Sequence, residues 1–532
     1  MWVRRCSFIF IVLGLLWAEE IAPISTSVNP EVKPVTESLV IEADYISYVS
    51  SNQYVEATGN VVVVYRDLTL TTGQSTINMQ KEELTAGSGF IMNRGRQQIS
   101  GEGLEYDFQH RMGTASSVNM QLMNKTVRGK KVEIANDRIT IFNSQQTACP
   151  KEKDFCNMVT SKRLTIYPEW GDVVHDSATV YFFFVPIMWV PSYVADASGQ
   201  NDLMYSAIPK FGANPVEGNF AKAGISYYTN EKLNGTIDVH YLSKLGARVG
   251  FTNNYKLDQS NRGQFRLHYL TGLGGRLSYG WQHRILFGVP HKDRQQIIDD
   301  FFRGIMPPSN DSYPEFVVDA TSREMVGYQW VSNKPKLGLY SPAYEIFSTG
   351  LFHRVGGYVA DILEEDIQYI PGVDFEEGNR QYVQTAWDYT IYRPFELNGW
   401  GLLTPGVKYF KSAYFSGREL AGAWRQLYSY ADYTKSWQKW NLQLGYKKTA
   451  SESGYSLFNS ESFYAGTAEE SYYGVGYQVL DNLKLDYTQQ YSITDHKVRD
   501  RVYGVEWGVC CWKIRFGWSA YLSQFTFGVG LE

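Results

Sequence analysis

The stretch from Arg501 to Trp518, RVYGVEWGVCCWKIRFGW, constrains the fold more than any other part of the chain. Tyr503, Val505, Trp507 and Val509 alternate with Gly504, Glu506 and Gly508. After the cysteines, Trp512, Ile514, Phe516 and Trp518 alternate with Lys513, Arg515 and Gly517. Alternation at period two is the mark of a strand with one apolar face. The apolar phase changes from odd to even at Cys510 and Cys511, so the pattern predicts two antiparallel strands joined by a turn there. Within one regular strand, two adjacent sulfurs would point to opposite faces; a turn lets both reach one compartment. Two buried thiols inside a single strand are the plainer alternative.

The same alternation recurs through the C-terminal part, in GTIDVHYL, ARVGFTNNYKL, GQFRLHYL, RLSYGWQHRILF, NLQLGYKK, YYGVGYQVL and NLKLDYTQQY. No apolar run after the N-terminus reaches the 18 or so residues of a membrane helix, although aromatics make up 15% of the chain. Apolar residues diluted by alternation fit a transmembrane β-barrel; a large soluble sheet protein fits the same composition. At about 10 residues per membrane strand plus turns, residues 201–532 accommodate on the order of 20 strands. Tyr227, Tyr228, Tyr255, Tyr269 and Trp281 sit where interfacial girdles would form. Gly288 to Pro314 contains a short helical pattern, IIDDFFRGI, and is expected to form a long extracellular or lumen-folded loop. The net charge of −5 gives no general attraction to nucleic acid.

Residues 1–18 have the form of a secretory signal peptide, with Arg4 and Arg5 ahead of the apolar run Ser7 to Leu16. A retained anchor is the alternative, because Leu16 stands where a small residue would precede cleavage. Removing this segment takes away Cys6 and leaves four cysteines in an exported chain, a number that favours disulfides with three possible connectivities. Residues 19–37, with Pro23, Pro30 and Pro34, are expected to be a flexible leader. Residues 38–200 are a run of short strands. Gly73, Gly101 and Gly129 fall 28 residues apart, each flanked by strand patterns. That spacing suits stacked units burying one another's apolar faces, with chance spacing of turns as the rival.

Enzymatic chemistry is not legible. GxSxG, HExxH, P-loop, CxxC and EF-hand patterns are all missing, so no catalytic residue, metal site or cofactor is assigned. His240, His268 and His283 lie on predicted strands and are read as water-facing rather than metal-binding.

IEADYISY, VEATGNVVVVYRDLTLTTGQSTINM, LTAGSGFI and ISGEGLEYDF resemble the periplasmic β-jellyroll of the lipopolysaccharide-assembly outer-membrane proteins, the LptD/OstA (organic solvent tolerance) family. QQTACPKEKDFC, the later VPIMWVPSY, the barrel-opening AIPKFGANP and the cysteine pair before Trp512 resemble that family in the same order. The resemblance runs from about Ser38 to the end and is weak between about Gly288 and Asp500. It implies an all-β protein: a periplasmic jellyroll domain and connector over residues 38–200, then an outer-membrane β-barrel over residues 201–532.

The function so implied is not enzymatic. It is receipt of lipopolysaccharide from a soluble periplasmic jellyroll bridge and its insertion into the outer leaflet through a lateral barrel opening. A passive pore or small-solute receptor is the alternative. The implied partners are lipopolysaccharide, the outer membrane, the bridge and a lipoprotein plug inside the barrel. The bridge would dock by strand addition at Leu39, Val40 and Ile41. The expected gate pairs a first strand containing Ile208 and Pro209 with a last strand containing Phe527, Gly528 and Gly530; that Pro209 merely begins its strand at the periplasmic rim is the alternative. By family analogy Cys149 would pair with Cys511 and Cys156 with Cys510. The family has one cysteine near its signal peptide and one after the jellyroll, whereas Cys149 and Cys156 lie only seven residues apart, so a local Cys149–Cys156 bridge stays open.

Overall fold

The computed structural model describes residues 39–49, 53–95, 97–122, 125–147, 157–182, 185–196, 209–272, 275–303, 305, 312–326, 329–365, 379–458, 460–461, 469–509, 512–521 and 523–531. The proposed signal peptide, the leader and all four remaining cysteines lie outside the described residues.

Two β-structures follow one another. The first is an antiparallel sheet running from an edge strand at Val40–Glu42 to a final strand at Val185–Asp196. Its inward rows form one apolar core, in which Val61, Val63, Ile77, Met120, Val127, Ile141, Leu164 and Ile166 are fully buried. Several of the long strands are bent near the middle. Asn60, Ser117, Asn143 and Ser177 take positive φ inside strands, and pairing slips between Thr58 and Val61 and between Ser100 and Glu102. Such bulges bend a strand sharply, and repeated in neighbours they fold the sheet into two walls around a groove.

The 28-residue glycine spacing now has a cause. Gly73, Gly101 and Gly129 occupy the middle of strands Leu68–Asn78, Gln97–Asp107 and Lys125–Ile134, at the bend of every second pass. A Cβ on Gly129 would meet Ile141 Cγ2 at 2.2 Å, and one on Gly101 would meet the Ser116 carbonyl at 2.7 Å. At Gly101 and Gly129 the neighbouring strand passes too close for a side chain, whereas at Gly73 the nearest atom, Ser88 Oγ, is 3.6 Å away and a Cβ would fit.

The second structure is a closed antiparallel barrel of eighteen strands, from Lys210–Asn214 to Gln524–Leu531. Two short segments, Tyr344–Glu345 and Phe395–Glu396, extend hairpins without joining the ring. The alternation in Arg501 to Trp518 resolves as expected. Strands Lys497–Val509 and Trp512–Ser519 pair with Tyr503 opposite Trp518, Val505 opposite Phe516 and Val509 opposite Trp512. Their apolar rows therefore share one face, and that face is outward: Tyr503, Trp507, Phe516 and Trp518 are all exposed. Ile225, Val239, Val249, Leu277, Trp281, Leu337, Val359 and Leu485 continue the apolar exterior, as hydrocarbon requires of a membrane barrel.

The groove domain sits at one end of the barrel. Lys256 donates to Asp172 at 2.9 Å, and Gln259 Nε2 donates to the Glu169 carbonyl at 2.7 Å. Tyr167 stacks on Tyr228, while Ser226 and Ser192 bond to each other's backbone carbonyls. The segment between strands Arg276–Leu286 and Glu315–Val326 emerges at this same end. It forms a helix, Arg294–Phe302, whose Ile298, Phe301 and Phe302 are buried in the core of the groove domain. The helix was legible, but its place was not. It packs on the N-terminal sheet rather than in the barrel lumen, because its apolar face completes the core of that sheet.

Candidate functional site

The barrel closes through its weakest pairing. First and last strands meet over three residue pairs, Phe211 with Phe527, Gly212 with Thr526 and Ala213 with Phe525. On its other side the last strand pairs over eight, from Trp512–Leu531 to Ser519–Gln524. From Gly528 onward the last strand has no first-strand partner among the described residues. The three pairs lie toward the barrel end remote from the groove domain, so among the described residues the seam is least bonded where that domain sits. Phe211 and Phe527 hold it on the outer face with ring centroids 6.3 Å apart, and Phe527 also meets Phe516 at 5.1 Å.

Pro209, expected within the first strand, stands immediately before it; the strand starts at Lys210. Continuing the register sets Pro209 opposite Val529, where it has no N–H to offer. Ile208 lies outside the described residues. Gly528 has open space in front of it and adds no packing at the seam. Gly530 pairs across to Lys513 on the penultimate strand.

The groove domain reaches this seam. Val529 belongs to the outward row of Phe525 and Phe527, and it packs against the apolar core of the groove domain, as does Met188 on that domain's last strand. The groove therefore meets the barrel on its lipid-facing side, beside the unpaired stretch. The lumen side of the same wall is polar. Thr526 lines it with Arg515 and Lys513, and Arg515 Nε donates to Glu506 at 2.7 Å. An apolar track outside and a polar track inside run along one seam.

At the opposite edge of the groove domain, Val40–Glu42 pairs only with Val62–Val64 among the described strands. Val40 is exposed there, while Leu39 and Ile41 lean on the core. The reversal between Val509 and Trp512 falls at the barrel end that carries the groove domain, and the segment holding Cys149 and Cys156 joins two of that domain's strands. Among the described residues no His, Cys, Asp and Glu cluster could hold a metal. His268, buried, is bonded to Asp238 at 2.9 Å instead of facing water.

A feature that alternation could not show lies in the lumen near the far end. After strand Trp440–Gly454, the chain turns inward. Glu461 there accepts hydrogen bonds from Tyr358 (3.3 Å), Gln384 (2.7 Å), Tyr414 (2.7 Å) and Ser456 (2.5 Å). Phe458 is buried against Tyr382 and Tyr414.

No family model matches the sequence. The LPS-assembly protein LptD of Idiomarina loihiensis is 25% identical over 272 residues, 49% of this chain. Over that stretch the chain is similar to LptD, which supports a relationship to the LptD family. That match spans 34% of the length of the LptD relative. Among solved structures, CdiB from Acinetobacter baumannii gives a TM-score of 0.29 at 12% identity, over 61% of this chain and 58% of its own. The P pilus usher PapC translocation pore gives 0.21 at 7% identity, over 91% and 96%. The architecture of this chain accordingly rests on its own strand pairing, and the similarity to LptD and the barrel together support an outer-membrane location.

Proposed function

We propose that this protein delivers lipopolysaccharide to the outer leaflet, acting as a transporter and not as an enzyme. The observation that carries the reading is the contact of Val529 with the core of the groove domain at the least-paired seam of the barrel. Lipid A chains need a continuous apolar path, and a bent sheet ending against an outward-facing strand offers one. The glycan needs water, and the polar lumen wall behind the same strand offers that. An amphiphile with one part on each side can leave only by parting the strands between them. Each unpaired backbone group in hydrocarbon is costly, so the seam with three pairs is the easiest to open.

In this reading the groove domain is periplasmic. A soluble jellyroll bridge adds a strand to the exposed edge at Val40–Glu42, and a lipoprotein plug occupies the lumen. Depleting the protein should remove lipopolysaccharide from the cell surface, measured by its accessibility to an impermeant label. Changed small-solute uptake with surface lipopolysaccharide intact would favour a passive pore instead.

The reading also carries the disulfide proposal, Cys149–Cys511 with Cys156–Cys510, which would staple the groove domain to the C-terminal hairpin. Closing a loop of that length could stabilise by up to ~5 kcal/mol in the chain-entropy model. Non-reducing peptide mapping is expected to recover at least one long-range bridge; recovery of Cys149–Cys156 alone would remove the staple.

A further inference from the structure

The two walls of the groove end in two rims. One rim carries the turn at residues 66–67 and the strand ends at Arg94 and Gln97; the other carries the turns at 108–111, 135–138 and 168–171. The helix Arg294–Phe302, sent up from the barrel, lies across both. Asp299 receives Arg94 of the first rim at 2.7 Å and Arg111 of the second at 3.2 Å. Arg94 also stacks over Phe302 at 4.1 Å, and Arg294 bonds Glu169 of the second rim at 2.7 Å. Beneath Phe302 lies a small cavity lined by Leu68, Met92, Ile99, Ile134 and Ile139. Gln97 lines it as well. Its side chain is 5% exposed, and neither its amide oxygen nor its amide nitrogen has a hydrogen-bond partner. A buried amide left unpaired is expensive, and this one borders a mostly apolar pocket whose other polar lining residues are Tyr106 and Arg94, the latter already held by Asp67 and Asp299.

We propose that this cavity is an acyl-chain site of the groove, in which the Gln97 amide meets an oxygen of the chain's linkage, and that the helix is a removable clasp whose Phe302 fills the site when no lipid is present. The inference rests on the groove being the lipid path. Nine residues are too few for a stable isolated helix, so this one holds its place through its contacts with the rims. A chain entering the site replaces Phe302 with apolar surface of its own and gives Gln97 the partner it lacks. The ion pairs to Asp299 then re-form when the chain has passed toward the seam.

The test uses the full-length protein in detergent with purified lipopolysaccharide as probe. Benzoylphenylalanine replaces Tyr106, an aromatic residue of the same cavity, and the lipid adduct is measured after irradiation. Cysteines at Arg111 and Asp299, bridged by a bismaleimide, lock the clasp; the same protein left unbridged is its control. Bridging is expected to lower the adduct at least fivefold, Asp299→Arg to raise it severalfold above the parent, and Gln97→Leu to lower it severalfold. Equal labelling of bridged and unbridged protein would overturn the clasp while leaving the groove reading intact. Labelling unchanged by Gln97→Leu would overturn the polar contact. No adduct in any form, with the barrel shown folded by its heat-shifted gel mobility, would overturn both the inference and the groove reading.

Discussion

With cysteines at Phe211 and Phe527, oxidation is expected to cut lipopolysaccharide delivery at least tenfold, and reductant to restore it. These two residues are direct cross-strand partners at the barrel seam. Opposite residues in antiparallel strands have Cα atoms about 4.5–5.5 Å apart, within the roughly 4.4–6.8 Å that a disulfide spans. The bond would therefore form with little distortion, and it would lock the few pairs that close the ring. Ile208, which alternation alone sets near Phe527, is three residues away from the observed partner. A matched pair at Val239 and Val249, partners within the wall and also outward-facing, should form its disulfide without effect on delivery. If the seam disulfide forms efficiently and surface lipopolysaccharide still appears at the normal rate, the exit lies elsewhere in the wall.

How far the sequence led can be judged at particular residues. Period two assigns a face to each side chain, so the outward rows of Tyr503, Val505 and Trp507 and of Ile514, Phe516 and Trp518 were legible. So was the reversal between them. Alternation does not name a partner, however, and a barrel is closed by a pairing more than three hundred residues long in sequence separation. Where the first strand begins, and that it starts after Pro209, depends on which residues of the last strand remain to be bonded. The glycine spacing was visible, yet its meaning needed the bent walls, because only there does a neighbour crowd Gly129. The helix at Arg294–Phe302 showed its apolar pattern, but nothing in nine residues says which mouth they cover. Glu461 was the least legible: a single carboxylate in a polar loop, whose four partners come from four separate stretches of chain.

That carboxylate bears on the remaining prediction. A barrel of eighteen strands is wide enough to leave an aqueous channel unless something fills it. Here Tyr455–Glu461 folds into the lumen and is held in two ways. Phe458 is 1% exposed among Tyr382, Tyr414 and Trp424, and Glu461 gathers four donors from the wall and from its own turn. Removing a buried phenylalanine costs about 3–5 kcal/mol. Without Glu461 the hydroxyls of Tyr358 and Tyr414 keep Gln384 and Ser456 as acceptors, and one N–H of Gln384 loses its partner, which costs about 1–3 kcal/mol. Both changes cut the attachment of the inward segment and leave the strand ladder intact, so Phe458→Ala with Glu461→Ala should release the segment while the barrel stays folded. The expected result is a severalfold rise in single-channel conductance in planar bilayers and greater sensitivity of cells to large hydrophilic antibiotics. Glu461→Gln, which keeps an acceptor oxygen, should fall between the parent and the double variant. Surface lipopolysaccharide should change little if, as proposed, its apolar part passes outside the wall beside Val529 and its glycan beside Thr526 and Arg515. A folded double variant with parental conductance would mean that the far lumen is closed by something other than this segment. A loss of surface lipopolysaccharide as large as that from locking the seam would mean that the glycan passes under Glu461, across the lumen from where the seam contacts put it.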